Sequence, residues 1–440
     1  MILSGWGRFP RHECRLTAPR DENELCKHIA DGQLIARGNG RSYGDSAFNS
    51  RNTVHMRHFN RMLAFEAETG RLTVEAGVLL GDINAAFLPR GWFPPVTPGT
   101  KFVTIGGMIA ADVHGKNHHK HGSFGAFVDW IDVMQADGSV VRASPEKEQD
   151  LFYWTIGGMG LTGVILRAAF RMTPVETGWI KQTLIPAPDL EAAMAAFEAA
   201  QGVTYSVAWI DCLSGGAALG RSLVMLGEHA KRSELPQDKT SDPYAVPPKR
   251  MLSVPVDVPS IALNRYTVRT FNALFYRKGL SGAGESLVDC DAYFYPLDAI
   301  LGWNRIYGRK GFVQFQCALP LQTSSEGLKA LLGAISKSGQ GSFLAVLKRF
   351  GTQESRFSFP MEGYTLALDF PVTQRTLTLL DELDRITIKH GGRFYLAKDS
   401  RMRQETLREA DPRVAEFCAM RSKYGREERF VSAQSKRLTL

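Results

Sequence analysis

Three glycine-rich segments within the first 163 residues constrain the fold of this 440-residue chain more than any other feature. The first occupies residues 37–45, the second residues 98–115 and the third residues 156–163. Glycine has no Cβ, so it lets the backbone approach a ligand closely and adopt positive φ angles. Three such segments, each beside a predicted strand or helix, indicate backbone walls around one long bound molecule.

The first segment reads Arg-Gly-Asn-Gly-Arg-Ser-Tyr-Gly-Asp and is called the glycine loop below. Its spacing is Gly-x-Gly-x-x-x-Gly, and no helix-forming run follows it, which argues against a Rossmann dinucleotide fingerprint. The backbone N–H groups of such a loop can converge on a diphosphate. On spacing alone, a tight structural turn is an equal alternative.

Length and composition narrow the class of protein. A chain of this length with 44% hydrophobic residues predicts two or three domains. The net charge is +8, but no run of like charges concentrates it, so no nucleic-acid groove is expected. Six scattered cysteines without a Cys-x-x-Cys pair suit a reducing compartment. With no signal sequence and no apolar run of about 18 residues, we expect a cytoplasmic protein with at most peripheral membrane contact.

A histidine cluster raises the question of a metal site. His114, His118, His119 and His121 lie close together in the sequence. The run contains glycines and offers no paired Asp or Glu at ligand spacing. We therefore expect no bound metal.

The order of predicted elements indicates two regions. Residues 1–175 alternate short strands and helices, and Asp137-Gly138 predicts a hairpin with a type I′ turn. Ser144, Pro145 and Glu146 predict a helix beginning there. From about residue 173, longer strands and helices recur and predict an α+β sheet layered by helices on one face. Residues 228–264 contain six prolines and predict a long mobile loop.

Side-chain alternation along two predicted strands suggests a polar wall. In residues 312–317, Gln314 and Gln316 share one face, where two amides can hydrogen-bond a sugar, although an exposed polar sheet face is an equal alternative on sequence grounds. In residues 364–370, Thr365, Ala367 and Asp369 face away from the large apolar side chains and leave room for a flat ring or a substrate. Trp6 and Trp303 are expected to lie in the core.

The chain resembles a known family through several motifs. These are residues 5–8, 40–45, 96–100, 114–119, 157–163, 303–305, 312–316, 369–371 and 397–401. His-Gly-Lys-Asn-His-His at residues 114–119 and Ala-Lys-Asp-Ser-Arg at residues 397–401 are far more specific than any glycine loop. The motifs span almost the whole chain, which resembles the FAD oxidoreductases of the vanillyl-alcohol oxidase type and, within them, the decaprenylphosphoryl-β-D-ribose 2′-oxidases.

The resemblance implies an α+β fold with two domains. These would be a PCMH-type FAD-binding domain at residues 1–175 and 393–440 and an antiparallel-sheet substrate domain at residues 176–392, which includes the loop near 228–264. Many relatives bond a histidine of the glycine loop covalently to the flavin, but here Asp45 follows Gly44. The resemblance therefore implies that FAD is bound non-covalently.

The same resemblance implies a set of site residues. The implied FAD contacts are Gly38, Asn39, Gly40, Arg41, Ser42, Tyr43, Gly44, Gly99, Thr100, Gly106, Gly107, Ala111, His114, Asn117, His118, Gly160, Gly163 and Lys398. The implied catalytic residues are Lys398, His114 and Tyr43. The implied substrate contacts are Gln314, Gln316, Lys348 and Thr365. Mycobacterial relatives have Asn and Cys at the positions of Thr365 and Ala367, so active-site thiol chemistry at the second position is absent here.

The implied activity is FAD-dependent oxidation of the 2′-hydroxyl of decaprenylphosphoryl-β-D-ribose, or of a related polyprenyl-phosphate ribose, to the 2′-keto sugar. This would be the first half of an epimerisation to arabinose for the cell envelope, with a short-chain dehydrogenase as partner enzyme. One alternative is an FAD-dependent oxidase of a soluble alditol or aldonolactone. Another is a catalytically silent FAD-bound scaffold or a basic membrane-surface module.

Overall fold

The computed structural model describes residues 1–247, 251–259, 263–342 and 344–440. The strands, in chain order, are β1 (Ile2–Ser4), β2 (Arg11–Glu13), β3 (Leu16–Thr17), β4 (Ile35–Arg37), β5 (Thr53–His55), β6 (Met62–Glu66), β7 (Arg71–Glu75), β8 (Trp92–Phe93), β9 (Val128–Met134), β10 (Val140–Ala143), β11 (Val164–Arg171), β12 (Thr173–Pro174), β13 (Trp179–Ala187), β14 (Tyr205–Ile210), β15 (Ser222–His229), β16 (Leu252–Ser253), β17 (Gly284–Asp289), β18 (Ile300–Leu301), β19 (Phe312–Pro320), β20 (Ala345–Phe350), β21 (Gly363–Pro371) and β22 (Arg393–Phe394). The helices are α1 (Glu22–Ala30), α2 (Leu80–Phe87), α3 (Ile105–Ala110), α4 (His118–His121), α5 (Gln149–Thr155), α6 (Leu190–Ala199), α7 (Arg265–Ser281), α8 (Cys290–Phe294), α9 (Leu321–Ser338), α10 (Gln374–Lys389), α11 (Gln404–Ala410), α12 (Arg413–Lys423) and α13 (Ala433–Leu438).

Two sheets organise the N-terminal region. A parallel sheet has the strand order β3-β5-β4, and an antiparallel sheet has the order β10-β9-β11-β7-β6. The predicted hairpin is confirmed, because β9 pairs with β10. The predicted type I′ turn is wrong, because such a turn needs positive φ angles at both Asp137 and Gly138, and of the two only Gly138 has one, of 83°. The glycine loop leaves the end of β4, so the parallel sheet presents it at its edge.

The predicted helix start, with Ser144 as N-cap and Pro145 as the first helical residue, is wrong by four residues. The Ser144 hydroxyl accepts hydrogen bonds from the backbone N–H groups of Glu146 and Lys147, which closes a tight turn instead of a helix. Glu148 then takes a left-handed conformation with a φ of 53°, so helical geometry begins only at Gln149. Serine side chains stabilise such turns as readily as helix N-termini, which explains the misassignment.

An eight-stranded sheet forms the second region. Its order is β17-β13-β15-β14-β20-β21-β19-β22, and the neighbouring strands run antiparallel, as predicted. Helices α6, α9 and α10 pack on its strands. The alternation is clear in β21, where Tyr364, Leu366, Leu368 and Phe370 are fully buried. The remaining face of β19, β20 and β21 is therefore free to line a site.

The C-terminal helices return to the N-terminal region. Phe430 bridges to Leu34 beside β4, and Arg437 of α13 forms an ion pair with Asp45 at the end of the glycine loop. Strand β22 pairs with β19 and so belongs to the eight-stranded sheet, whereas the domain boundary expected at residue 392 would separate it from that sheet. The last residues of the chain thus hold the glycine loop in place.

Part of the proline-rich segment 228–264 has defined local structure. Glu228 and His229 end β15, short 3₁₀ turns occupy residues 232–234 and 237–239, and β16 pairs in parallel with β18. Residues 248–250 and 260–262 of the predicted mobile loop lie outside the described residues. Within the part of the chain that is described, no helix is long and apolar enough to cross a membrane.

His229 is expected to make the protein less stable in acid. Both ring nitrogens lack a partner among the described residues, and the ring contacts Phe93, Tyr205 and Phe294. Burial lowers the pKa of His229 to about 4. In the unfolded chain the pKa of histidine is about 6.5. The contribution of His229 to the unfolding free energy is therefore complete above pH 6.5 and is lost as the pH falls towards 4.

We expect His229→Phe to remove this acid sensitivity. Between pH 7 and pH 5, the unfolding free energy of the wild type should fall by about 2 kcal/mol more than that of the variant. Thermal unfolding followed across pH 4.5–7 checks the result. Parallel pH profiles for the two proteins would show that His229 does not contribute.

Candidate cofactor and substrate site

A cavity of about 340 Å³ lies between the N-terminal sheets and the free face of the eight-stranded sheet. One wall comes from the glycine loop, from residues around Gly99, from α3 and from the turn before β11. The opposite wall comes from β19, β20 and β21, and residues 395–398 close one side. The three glycine-rich segments of the sequence therefore meet at one cavity.

Most of the residues implied by the resemblance line this cavity. They are Gly38, Asn39, Gly40, Arg41, Ser42, Tyr43, Gly99, Thr100, Gly106, Gly107, Ala111, His114, Gly160, Gly163, Gln314, Gln316, Lys348, Thr365 and Lys398. They come from positions up to 360 residues apart in the chain. The fold thus places the implied cofactor contacts on one wall and the implied substrate contacts on the other.

Close backbone packing explains two of the glycines. A Cβ on Gly38 would clash with the Thr104 side chain, whose hydroxyl caps α3 by accepting from the Gly107 N–H. Gly160 adopts a φ of 76°, which side-chain-bearing residues rarely take. Both positions therefore require glycine within the wall that the glycine loop, α3 and the turn before β11 form.

The cavity fits the diphosphate of FAD. Within the described part of the chain, the backbone N–H groups of residues 38–42 donate to no protein acceptor, although these residues line the cavity. The Nε of Arg41 is buried and also lacks a partner there. The Arg41 guanidinium stacks over Trp6, with 4.1 Å between its Cζ and the ring centroid. Unpaired donors and a fixed cation are what a bound diphosphate requires.

Gly99 gives a second observation of fit. A Cβ built on Gly99 would meet no protein atom within 4 Å, so the backbone there opens directly onto the cavity. Asn39 and Thr100 flank the same stretch, and the Asn39 amide donates to the Phe102 carbonyl over 2.8 Å. This wall is pre-formed by the protein's own hydrogen bonds.

The polar wall is built by the predicted strand alternation. In the register of β19, β20 and β21, Gln314 lies opposite Asp369, Gln316 opposite Ala367, and Lys348 opposite Thr365. All six line the cavity, whereas Val313, Phe315 and Cys317 point away and are buried. The Gln314 amide donates to the Asp369 carboxylate, which orients it.

Lys398 and Asp369 form the charged centre of the cavity. The Lys398 Nζ lies 3.7 Å from the centroid of the Tyr43 ring. Burial lowers the pKa of Lys398, and the nearby Asp369 partly offsets this by favouring the charged form. Burial also raises the pKa of Asp369, against the effects of Gln314 and Lys398. A lysine and a carboxyl that both titrate closer to neutrality are suited to proton transfer at physiological pH.

His114 is held neutral beside this centre. Burial, followed by the charge of Lys348, places the pKa of His114 well below its ordinary value. The Gln316 amide donates to the His114 Nε2 over 3.0 Å and to the Thr365 hydroxyl over 3.2 Å. The imidazole proton therefore sits on Nδ1, which has no partner among the described residues.

Three expected cofactor contacts lie behind the cavity wall. Gly44 packs against the backbone of Asp399 and Ser400. Asn117 donates to the Pro95 carbonyl, and the His118 ring contacts the Phe350 ring at a tilt of 44°, with 4.3 Å between centroids. All three residues therefore contact protein groups behind the wall.

Other cavity residues were not identified from the sequence. Trp303 lies in the core, as expected, and Trp6 packs against it, but both side chains also line the cavity. Asp298 also lines it, and no local pattern marks it. Asp369 lies on the strand face that the sequence predicted to leave room for a substrate, opposite Gln314, although the sequence assigned it no role.

Asp45 occupies the position where covalent relatives carry a histidine. Its carboxylate is buried and accepts two hydrogen bonds from Arg437, over 2.7 and 3.0 Å. It does not line the cavity.

In the described ranges, no group of three or more His, Cys, Asp or Glu side chains is arranged to hold a metal ion.

Comparison with known proteins agrees with this architecture. Residues 16–144 match the model of the FAD binding domain family. Over 450 aligned positions the chain is 36% identical to decaprenylphosphoryl-beta-D-ribose oxidase of Mycolicibacterium smegmatis, covering 100% of this chain and 97% of that protein. It is also 34% identical to an uncharacterised protein of Streptomyces coelicolor, over 82% of this chain and all of the relative.

More distant relatives match only part of the chain. L-gulonolactone oxidase of Mus musculus is 32% identical over 159 residues, which is 36% of this chain and 34% of that enzyme. The fold is the α+β FAD-binding fold of the PCMH type, joined to an antiparallel-sheet domain. The chain uses FAD and belongs to the decaprenylphosphoryl-β-D-ribose oxidase family of FAD-dependent oxidoreductases.

Proposed function

We propose that this protein oxidises the 2′-hydroxyl of decaprenylphosphoryl-β-D-ribose, or of a related polyprenyl-phosphate ribose, to the 2′-keto sugar. The observation that carries the proposal is that Lys398 and Asp369 line the same cavity as the glycine loop and the amides of Gln314 and Gln316. The full-length similarity to an oxidase of that substrate supports it. The match to L-gulonolactone oxidase covers about a third of the chain, so it supports the cofactor and not a soluble substrate.

The proposed roles follow from the contacts. FAD, when bound, supplies the two-electron oxidation by accepting a hydride from the alcohol carbon. Lys398 stabilises negative charge that develops on the sugar oxygen, while Tyr43 packs beneath its ammonium group. Gln314 and Gln316 hydrogen-bond sugar hydroxyls, and neutral His114 keeps the Gln316 amide oriented.

Lys348 and Thr365 complete the proposed substrate contacts. Burial lowers the pKa of Lys348 to about 8, because an enclosed ammonium group loses its hydration. Among the described residues, no carboxylate forms an ion pair with it. A phosphate group in the cavity would restore its charged form and gain an ion pair. This favours an anionic phosphosugar over an uncharged alditol as the ligand.

Product analysis tests the position of oxidation. The holoenzyme is incubated with the polyprenyl-phosphoribose, and the product is reduced with borodeuteride. Oxidation at the 2′ carbon gives ribose and arabinose that both carry deuterium at that carbon. Deuterium at another carbon, or none, would overturn the proposed reaction.

Conversion of the keto sugar onwards to arabinose is assigned to a separate short-chain dehydrogenase. We place both enzymes in the cytoplasm.

We further expect FAD to be released when the protein is precipitated with acid. The Asp45 carboxylate is committed to Arg437 and is no nucleophile towards the flavin ring. After centrifugation the yellow colour should appear in the supernatant. A flavin that stays with the pellet would contradict non-covalent binding.

A further inference from the structure

Exposed apolar side chains are concentrated in one part of the surface. Of the sixteen large apolar residues that are exposed in the described chain, nine lie between residues 251 and 301. They are Met251, Leu252, Val256, Tyr266, Phe271, Leu274, Phe275, Leu280 and Leu301. Five belong to α7, where Leu274 is 63% exposed and Leu280 is 51% exposed. Water-facing proteins rarely concentrate apolar side chains in this way unless the surface binds something.

The charge of α7 indicates what covers it. The helix carries Arg265, Arg269, Arg277 and Lys278 and contains no Asp or Glu. Helices that carry exposed aromatic and leucine side chains, basic residues and no acidic residues are typical of proteins that bind the surface of anionic bilayers. Two copies of such a helix would repel each other, which disfavours self-association through this surface.

The helix is fixed on the cavity side of the eight-stranded sheet. Its buried face includes Asn272, whose amide donates to Asp211 over 2.7 Å. The Phe275 ring contacts Trp209, with 4.8 Å between centroids. Trp209 lies opposite Val346 in the sheet register, so the two share a face, and Val346 lines the cavity. The helix is therefore a neighbour of the substrate wall.

The start of α7 also borders the cavity. Leu263, just before the helix, packs in a cluster with Trp303 and Leu344, and both of these line the cavity. The pairing of β16 with β18 places exposed Leu252 and Leu301 on the same segment as cavity-lining Trp303. The exposed apolar surface thus continues from α7 to the edge of the cavity.

We propose that α7, together with the β16–β18 pair, is a docking surface for an anionic lipid bilayer. The apolar side chains enter the acyl boundary, and the four cations contact lipid headgroup phosphates. The proposal rests on the proposed function and extends it. In this arrangement the polyprenyl tail stays in the bilayer while the phosphosugar reaches the cavity.

Vesicle sedimentation tests the docking surface. The purified holoenzyme is mixed with vesicles of phosphatidylcholine alone or with phosphatidylglycerol added, and bound protein is measured on gels. We expect binding to the phosphatidylglycerol vesicles that weakens with salt. The double variant Leu274→Asp/Leu280→Asp should bind at least about tenfold less, because it removes apolar contacts and adds negative charge.

The control adds the same charges elsewhere. Leu63→Asp/Tyr153→Asp changes two exposed apolar residues outside this surface and should bind vesicles like the wild type. Equal loss in both double variants, or no binding by the wild type, would overturn the proposal. So would a change in the oligomeric state of Leu274→Asp/Leu280→Asp without an effect on vesicle binding, since that assigns the surface to a protein partner.

Flavin reduction in detergent micelles separates this proposal from the proposed function. Both double variants should reduce their flavin with micellar polyprenyl-phosphoribose at the wild-type rate, because the changed residues do not line the cavity. Intact vesicle binding without reduction by any form of the protein would overturn the function alone. Normal reduction without vesicle binding would overturn the docking surface alone.

Discussion

Lys398→Met is expected to slow reduction of the bound flavin by the polyprenyl-phosphoribose by about 10²–10³-fold while leaving FAD in place. Methionine keeps most of the side-chain volume beside Tyr43 but removes the cation from the sugar oxygen. Asp369 also loses the charge that favours its ionised form, so its pKa should rise further. Anaerobic stopped-flow absorbance measures the rate, and the flavin-to-protein ratio measures cofactor retention.

A matched control separates the active-site effect from the loss of a lysine. Lys147 is exposed and distant from the cavity, so Lys147→Met should reduce its flavin at the wild-type rate. If Lys398→Met keeps the wild-type rate, Lys398 has no part in the reaction. If it loses FAD instead, Lys398 is a cofactor-holding residue and its proposed role is wrong.

Arg437→Met is expected to cause the largest loss of stability, about 3–5 kcal/mol of unfolding free energy. The Arg437 guanidinium donates to both Asp45 and Asp399, whose side chains are 3% and 7% exposed. Burial tends to raise the pKa of Asp399, but Arg437 and backbone N–H groups outweigh it and hold the pKa low. Without Arg437, two buried carboxylates are left without their cation.

The Arg437 variant should also release FAD. Asp45 ends the glycine loop and Asp399 follows Lys398, so the ion pairs fix the glycine loop and the side of the cavity that residues 395–398 close. Thermal unfolding and flavin fluorescence measure the two effects together. Arg403→Met, which removes an exposed arginine before α11, should match the wild type. Equal stability of the two variants would show that the Arg437 pairs do not hold the loop.

Local rules predicted the parts of the site that depend on neighbouring residues. The alternation of β19 and β21 placed Gln314, Gln316 and Thr365 on one face, and the sheet register keeps them there. The glycine-rich segments also predicted the backbone walls, because the lack of a Cβ affects the backbone at the glycine itself and needs no distant residue. The resemblance added Lys398, which on sequence grounds alone resembles a surface lysine.

Long-range contacts could not be predicted in this way. Arg437 and Asp45 are separated by 392 positions, and only the folded chain brings them together. The closeness of Lys398 to Asp369 likewise depends on how residues 395–398 continue from β22 to the cavity. Asn117 and His118 belong to a specific motif, but the turn before α4 directs them away from the cavity. The motif identified the region and not the direction of each side chain.

Anaerobic reduction of the bound flavin by a small substrate panel tests the central claim most directly. The panel contains the polyprenyl-phosphoribose, xylitol and galactonolactone. The yellow holoenzyme should bleach with the polyprenyl-phosphoribose and stay oxidised with the two soluble compounds. A colourless protein that takes up no added FAD, or bleaching only by a soluble compound, would contradict the account.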